Sequence, residues 1–414
     1  MIENNKIFNA TVTGYGYDGE GVCRLDGKVC FVRYVLKDEE ITFKICSEKS
    51  SFCKGEVLKV LKASSLREIP PCPYFSKCGG CAYQHTSYQN ELLIKKELLK
   101  NQFKKVGYFG EIKVFPSSKQ YGYRNKIKLF VEKGKIGLKK SESNKIIDIE
   151  KCLLVDTLIN HAIPKIKTFV AAQNLYDEIQ EVVLRQENQF CLINFVMKNN
   201  ILINFQGLYL ILGSEYGIYQ TFKKQTVHKI GQKFLYANEL GLKAKFNVKS
   251  FHQVNKYLTE ELYNAVIDSI VGDSVVNCYS GAGVLSGVIS KHCSRVVGVE
   301  LGKEEHLDAE NMKEENGLFN LLNINGDCSK VLYNLDEDFD TIIVDPPRGG
   351  LDKNVIQSID ESMSKRVIYI SCNSATLVRD LGLLKNFEIY KVSLYDMFAR
   401  TGEYETLVIL NRKI

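Results

Sequence analysis

The chain predicts a protein of mixed α/β and β class in three parts. These are a small β-barrel over residues 1–62, a β-rich central domain over 63–245, and a doubly wound, mostly parallel sheet over 246–414. Three observations lead there. The 414 residues exceed what one compact core holds. Short β-prone runs separated by Gly- and Asp-rich turns fill the first sixty positions. From residue 246, apolar runs of strand length alternate with helical stretches.

In the first part the β-prone runs are 8–13, 29–35, 41–46 and 55–61. Pro70, Pro71 and Pro73 then break the chain amid closely spaced cysteines. Residues 88–105 read as a helix, with apolar positions at Leu92, Leu93, Leu98, Leu99 and Phe103. The most apolar stretch, 201–212, carries Asn204 and Gln206 and is far short of a membrane span, so it reads as a buried strand. In the last part the expected strands are 274–278, 295–300, 321–325, 341–345 and 366–372. Two more, 387–394 and 404–410, follow each other with no helix between them and predict an antiparallel pair at one sheet edge.

Composition is that of a soluble globular protein, 45% hydrophobic and 25% charged, and the N-terminus lacks a signal-peptide pattern. We therefore expect a cytoplasmic protein, monomeric and without a membrane partner. Its thirteen cysteines should then stay reduced rather than form disulfides, with clustered ones acting as metal ligands or catalysts. Charge is uneven: residues 91–140 hold 14 Lys/Arg against 4 Asp/Glu, whereas 300–345 hold 3 against 13. The basic block suits a phosphate-binding face, and equally a solvated surface.

Chemistry concentrates at strand ends. The run VVNCYSGAGVL places Gly281 and Gly283 in a strand-to-helix turn, where bare backbone can approach a ligand. The next three strands lead to Glu300, Asp327 and Asp345. Acids there can grip a nucleoside's hydroxyls or cap helices, and the succession of four favours a nucleoside cofactor. The DPPR segment, Asp345 to Arg348, is stiff enough to wall a slot for a flat base. YISCN puts Cys372 at the same rim, as a buried thiol or a nucleophile. A second group, Cys72, Cys78 and Cys81 in CPYFSKCGGC, needs a fourth ligand and suits zinc or iron–sulfur. In YGYRNKIKL, Tyr121 to Leu129, aromatic and basic residues interleave as for stacking on bases and pairing with phosphates.

SFHQVN, CYSGAG, VVGVE, DPPR, YISCNSATLVRD and DMFARTGEYET resemble, in order and spacing, the RNA uracil-5-methyltransferase family. The first sixty residues, through GYGYDGEGVCRLDGKVCFV, resemble the RNA-binding TRAM (OB-like) domain, and with the cysteines the chain is similar to the iron–sulfur branch that modifies 23S rRNA or tRNA. The resemblance implies a Rossmann-like class I methyltransferase sheet and S-adenosylmethionine contacts at Gln253, Tyr279, Glu300, Asp327 and Asp345. It implies Cys372 as nucleophile and Glu405 as general base. It makes Cys152 the fourth ligand of a [4Fe–4S] cluster with Cys72, Cys78 and Cys81, a structural group in the central domain. Departures are Ser280 where a Cys is common, Val284 where relatives carry a small polar residue, and His252 at a usually apolar or aromatic position.

Such chemistry needs these residue types. C5 of uracil takes a methyl group only after a thiolate adds at C6, and the C5 proton must then leave to a base. The thiolate calls for nearby positive charge, for which Arg348 is the candidate. The uridine must be unstacked, from 23S rRNA or, alternatively, tRNA. Two other readings compete. One is an amino-group methyltransferase, disfavoured by Arg348, Cys372 and Glu405. The other is a non-catalytic RNA-binding or redox-sensing protein.

Overall fold

The computed structural model describes residues 6–250, 252–335 and 337–414. Phe251 of SFHQVN, Asp336 and the first five positions of the 1–62 segment lie outside them. The N-terminal part is a six-stranded sheet of β1 (Ile7–Thr11), β2 (Gly14–Tyr15), β3 (Gly21–Leu25), β4 (Lys28–Val32), β5 (Glu40–Glu48) and β6 (Phe52–Lys62). Its order is β1-β5-β6-β4-β3-β2, with β4 and β6 parallel, around a core that includes Val12, Cys23, Ile41 and Phe43. The register sets Cys30 opposite Cys53, with Cα atoms 4.7 Å apart, so two inward-facing sulfurs on paired strands meet inside the core.

The chain continues through α1 (Tyr88–Phe103), β7 (Ile112–Phe115), β8 (Lys126–Glu132), β9 (Lys135–Lys139), β10 (Ile146–Asp148), α2 (Thr157–Ala172), β11 (Ile179–Glu187) and β12 (Phe190–Met197). It then runs through α3 (Gln206–Leu212), β13 (Tyr216–Phe222), β14 (Gln225–Gly231), β15 (Leu235–Glu239) and β16 (Leu242–Phe246). Strands β10-β9-β8-β11-β12-β13-β14 form a seven-stranded sheet with α2 packed on it through Ile159, Ile163, Ile166 and Val170. The stretch 201–212 is not a strand. Leu208 and Leu212, four apart, are buried while Leu210 and Ile211 face outward, which is a helix's period, and Asn204 Oδ1 accepts the Gln206 N–H at its start.

The C-terminal part holds α4 (Lys256–Ile267), β17 (Ser274–Cys278), α5 (Val284–Ser290), β18 (Arg295–Glu300), α6 (Lys303–Glu315), β19 (Leu321–Asn325), α7 (Cys328–Asn334) and β20 (Thr341–Val344). It ends with α8 (Lys353–Glu361), β21 (Arg366–Ser371), α9 (Ser374–Leu381), β22 (Phe387–Tyr395) and β23 (Glu405–Arg412). The sheet order is β19-β18-β17-β20-β21-β23-β22-β7. Successive residues serve two separate cores: Val275, Ile343, Ile368 and Ile409 face one, Val276, Ile342, Val367 and Leu410 the other. Both faces are covered, as parallel sheets require, so the strands read as continuous apolar runs.

Two features depart from the expected partition at 245. Strand β7 joins the C-terminal sheet parallel to β22, so the β22–β23 pair is not at the edge, and Leu99 and Phe103 of α1 pack into the same core. The β15–β16 hairpin packs on the opposite face of that sheet, through Leu235, Leu242 and Phe246, in the core that holds Val275 and Ile343. A buried charge quartet fixes α1. Lys95 Nζ donates to Glu91 at 2.7 Å and to Asp396 at 2.6 Å, and Arg400 pairs with Glu91 at 3.2 Å. Among the described residues no helix is long and apolar enough to cross a membrane.

Candidate active site

The carboxyl ends of β17, β18, β20 and β21 meet where the strand order reverses, the usual ligand crevice of an open α/β sheet. After β17 the chain turns sharply: Tyr279 has φ 62° and Gly281 φ 56°, both left-handed. A Cβ on Gly281 would meet nothing within 4 Å, so this loop presents bare backbone to open space. Glu300, ending β18, braces it: one carboxylate oxygen accepts the Gly281 N–H at 2.9 Å, the other the Gly302 N–H at 2.6 Å. Asp327 caps α7, accepting the Ser329 N–H at 2.9 Å, so for this acid helix capping, one of the two readings weighed above, is observed.

One cavity of about 1070 Å³ gathers nearly everything singled out above. Gln253, Tyr279, Gly281, Glu300, Asp327 and Asp345 line one part; Pro346, Pro347, Arg348, Cys372 and Glu405 another; Cys72, Cys78, Cys81 and Cys152 a third. Arg124, Lys126 and Lys128 of the YGYRNKIKL segment lie on the wall between. Of its two tyrosines, Tyr123 behaves otherwise than expected. Tyr123 is 1% exposed and its hydroxyl donates to the Ala399 carbonyl at 3.0 Å, so it is core and cannot stack on a base. Lys126 is held to about 8, first by burial and then by Arg185, Lys128 and Arg124.

The electrostatics of the catalytic candidates differ from expectation. Burial first and Glu405 next push the Cys372 thiol up to about 12; Arg348 lowers it but does not prevail. Arg348 is spent in an ion pair with Glu403, so its charge is largely neutralised. Glu405, 6% exposed, lies well above the carboxylate range through burial and the nearby Asp345, and its Oε2 has no hydrogen-bond partner among the described residues. Burial holds Asp345 at about 7. Burial and the Glu405 carboxyl thus both favour the thiol form of Cys372 over the thiolate that the reaction needs.

At the third part, Gly80 N–H points at Cys78 Sγ at 3.4 Å and Gln84 Nε2 at Cys81 Sγ at 3.0 Å. Burial above all, with smaller contributions from Cys152 and Cys72 and against the Gly80 N–H, brings Cys78 up to about 11. Among the described residues no group of three or more His, Cys, Asp or Glu is placed so that it could hold a metal ion. The departure at His252 has a local account. Its ring lies 4.5 Å from that of Phe246, and its Nε2 sits 3.5 Å from Glu239 and 3.7 Å from Glu187, so polar partners replace an apolar neighbour. Sequence reasoning missed the buried quartet and the Glu403 partner of Arg348. The spacing of Glu91 and Lys95 on one helix was the only sequence signal for either.

A parallel sheet whose carboxyl edge opens on a glycine loop, three acids and a cysteine–carboxylate pair defines an α/β methyltransferase. A family model for tRNA (uracil-5-)-methyltransferases matches residues 330–413. An RNA methyltransferase of Clostridium acetobutylicum is 30% identical over 455 residues, covering 99% of this chain and 98% of the relative. The 23S rRNA (uracil(1939)-C(5))-methyltransferase of Francisella tularensis subsp. novicida is 28% identical over 98% of this chain and 97% of its own length. The crystal structure of Pyrococcus abyssi tRNA (uracil-54, C5)-methyltransferase in complex with S-adenosyl-L-homocysteine superposes with TM-score 0.80 at 25% identity, covering 97% of this chain and 100% of that one. The chain belongs to the RNA uracil-5-methyltransferase family and is an S-adenosylmethionine-dependent RNA (uracil-C5)-methyltransferase.

Proposed function

We propose that this enzyme methylates C5 of a specific uridine in 23S rRNA through a covalent bond between Cys372 and C6, with Glu405 as base. The single supporting observation is that one cavity of about 1070 Å³ is lined by Cys372, Glu405, the DPPR loop and the proposed cofactor residues Gln253, Tyr279, Glu300, Asp327 and Asp345. The Francisella relative favours 23S rRNA. A tRNA uridine is the second reading, favoured by the Pyrococcus neighbour, which covers nearly the whole chain.

S-adenosylmethionine, when bound, supplies the methyl group. The Cys372 sulfur bonds to C6, the thiol proton passing to water in the open cavity, and the electron pair of the C5–C6 double bond moves towards O4 to give the enolate. C5 then accepts the methyl group. Its proton passes to Glu405, whose burial makes it an unusually strong proton acceptor once ionised. The sulfur–C6 bond breaks and the double bond returns.

In the same reading Cys72, Cys78, Cys81 and Cys152 hold a [4Fe–4S] cluster. Four thiols on one cavity wall, two of them with N–H donors directed at sulfur, fit that group's donor chemistry. Bound there, it ties residues 72–81 to the segment before α2. Residues 1–62 act as an RNA-binding module, and the protein works as a monomer.

The test is a denaturing gel with a radiolabelled methyl donor. Cys372→Ala gives no product and no RNA–protein band. Glu405→Gln gives a slow, protease-sensitive band, because methyl transfer precedes the blocked proton loss. The double variant gives none. Methylation by Cys372→Ala refutes the nucleophile and revives the amino-group alternative; normal turnover by Glu405→Gln refutes the base.

A further inference from the structure

The N-terminal segment reaches the catalytic loop through one side chain. Tyr17 sits in the turn between β2 and β3, which closes on itself by hydrogen bonds from Gly16 N–H to Glu20 carbonyl at 2.7 Å and from Asp18 N–H to Glu20 Oε2 at 3.0 Å. The Tyr17 hydroxyl donates to Asn373 Oδ1 at 2.8 Å and accepts the Ser374 N–H at 3.0 Å. Those two residues directly follow Cys372. The contact is close-packed as well as polar: a Cβ on Gly402 would come within 2.5 Å of the Asp18 carbonyl oxygen.

We propose that Tyr17 is a positioning residue for methyl transfer, holding the loop that carries Cys372 in its reactive geometry. Asn373 passes the restraint on. Its Nδ2 donates to the Arg348 carbonyl of DPPR at 3.0 Å, and its Oδ1 also caps α9 by accepting the Ala375 N–H at 3.1 Å. The Ser374 hydroxyl lies 3.3 Å from that of Tyr404, the neighbour of Glu405. One phenol thus ties together the nucleophile loop, the proline loop and the strand of the base, and it comes from a segment otherwise assigned to RNA contact. Small displacements of reacting groups are costly, because near-attack geometry tolerates little error.

This inference rests on Cys372 being the nucleophile. Tyr17→Phe keeps the ring and deletes both hydrogen bonds. On an RNA transcript methylated by the wild-type enzyme, kcat falls about tenfold, while KM for RNA stays within about twofold. Tyr15→Phe, whose hydroxyl accepts the Lys37 N–H in its own segment and has no other hydrogen bond among the described residues, leaves kcat unchanged. In a cycle with Asn373→Ala, the double variant loses less than the sum of the two single losses, since the Asn373 bond is shared and only the Ser374 N–H bond is separate. Wild-type kcat in Tyr17→Phe, a loss confined to KM, or additive effects in the cycle overturn the proposal. Activity in a parallel Cys372→Ala control instead overturns the nucleophile, so the two failures are distinguishable.

Discussion

The rim of the C-terminal sheet and the cysteine corner face one cavity but are built in opposite ways. At the rim Glu300 is the last residue of β18, Asp345 and Cys372 directly follow β20 and β21, and Glu405 opens β23. Strand pairing, parallel for β18, β20 and β21 and antiparallel for β23, sets their spacing before any ligand arrives. Between β6 and α1, residues 63–87 contain no named helix or strand, and Cys152 lies on the connection between β10 and α2. Strand ends can be preorganised by backbone hydrogen bonds alone, whereas side chains on irregular backbone need another tie.

The contrast breaks most sharply at the catalytic pair. Glu405→Gln slows turnover on the order of 10²–10⁴-fold without lowering thermal stability, since it removes a buried, partnerless carboxyl. A drop in melting temperature alongside the rate loss would make Glu405 structural. At the corner the opposite pattern is expected. Cys78→Ser or Cys152→Ser in anaerobically purified protein loses iron and soluble yield together. Stoichiometric zinc with no iron would refute the cluster.

The quartet under the rim offers a third comparison. Lys95→Met leaves Glu91 and Asp396 buried without their shared cation and costs about 3–5 kcal/mol in denaturant unfolding. An effect below about 1 kcal/mol would mean the site collapses onto neutral carboxyls. For pH, burial raises both Asp345 and Glu405 above the ordinary carboxylate range. The native state therefore favours their protonated forms, and that stabilisation, complete below about pH 4, is lost as pH rises through about 7 for Asp345. Activity runs the other way: the base works ionised, so kcat climbs through neutrality and beyond with the pair's macroscopic titration. A flat profile from pH 6 to 9 would count against Glu405.

The smallest effect sharpens the boundary between binding and chemistry. Arg124→Ala should weaken RNA affinity modestly and lower the salt slope by about one, because Arg124 lies on the cavity wall beside Lys126 and Lys128. Deleting residues 1–62 should weaken RNA binding as well, leave S-adenosylmethionine binding nearly intact, and also slow the chemical step through loss of Tyr17. Full single-turnover rates at saturating RNA would restrict the segment to binding.

The sequence by itself determined the parallel sheet and the residues at its rim. Apolar runs flanked by glycine or acid report strands covered on both faces, and Ser274–Cys278, Arg295–Glu300 and Leu321–Asn325 fall where that pattern puts them. Tertiary structure decided whatever depends on contacts between distant segments. It placed β7 beside β22, which no local pattern encodes because a four-residue strand has no partner signal of its own. It turned 206–212 into a helix and left 201–205 irregular, since which residues face the core is fixed by α2 and β13 rather than by apolar content. It also set the protonation of Cys372 and Glu405. A residue's identity names the charge it can carry, but burial and neighbours brought together by the fold determine whether it carries it.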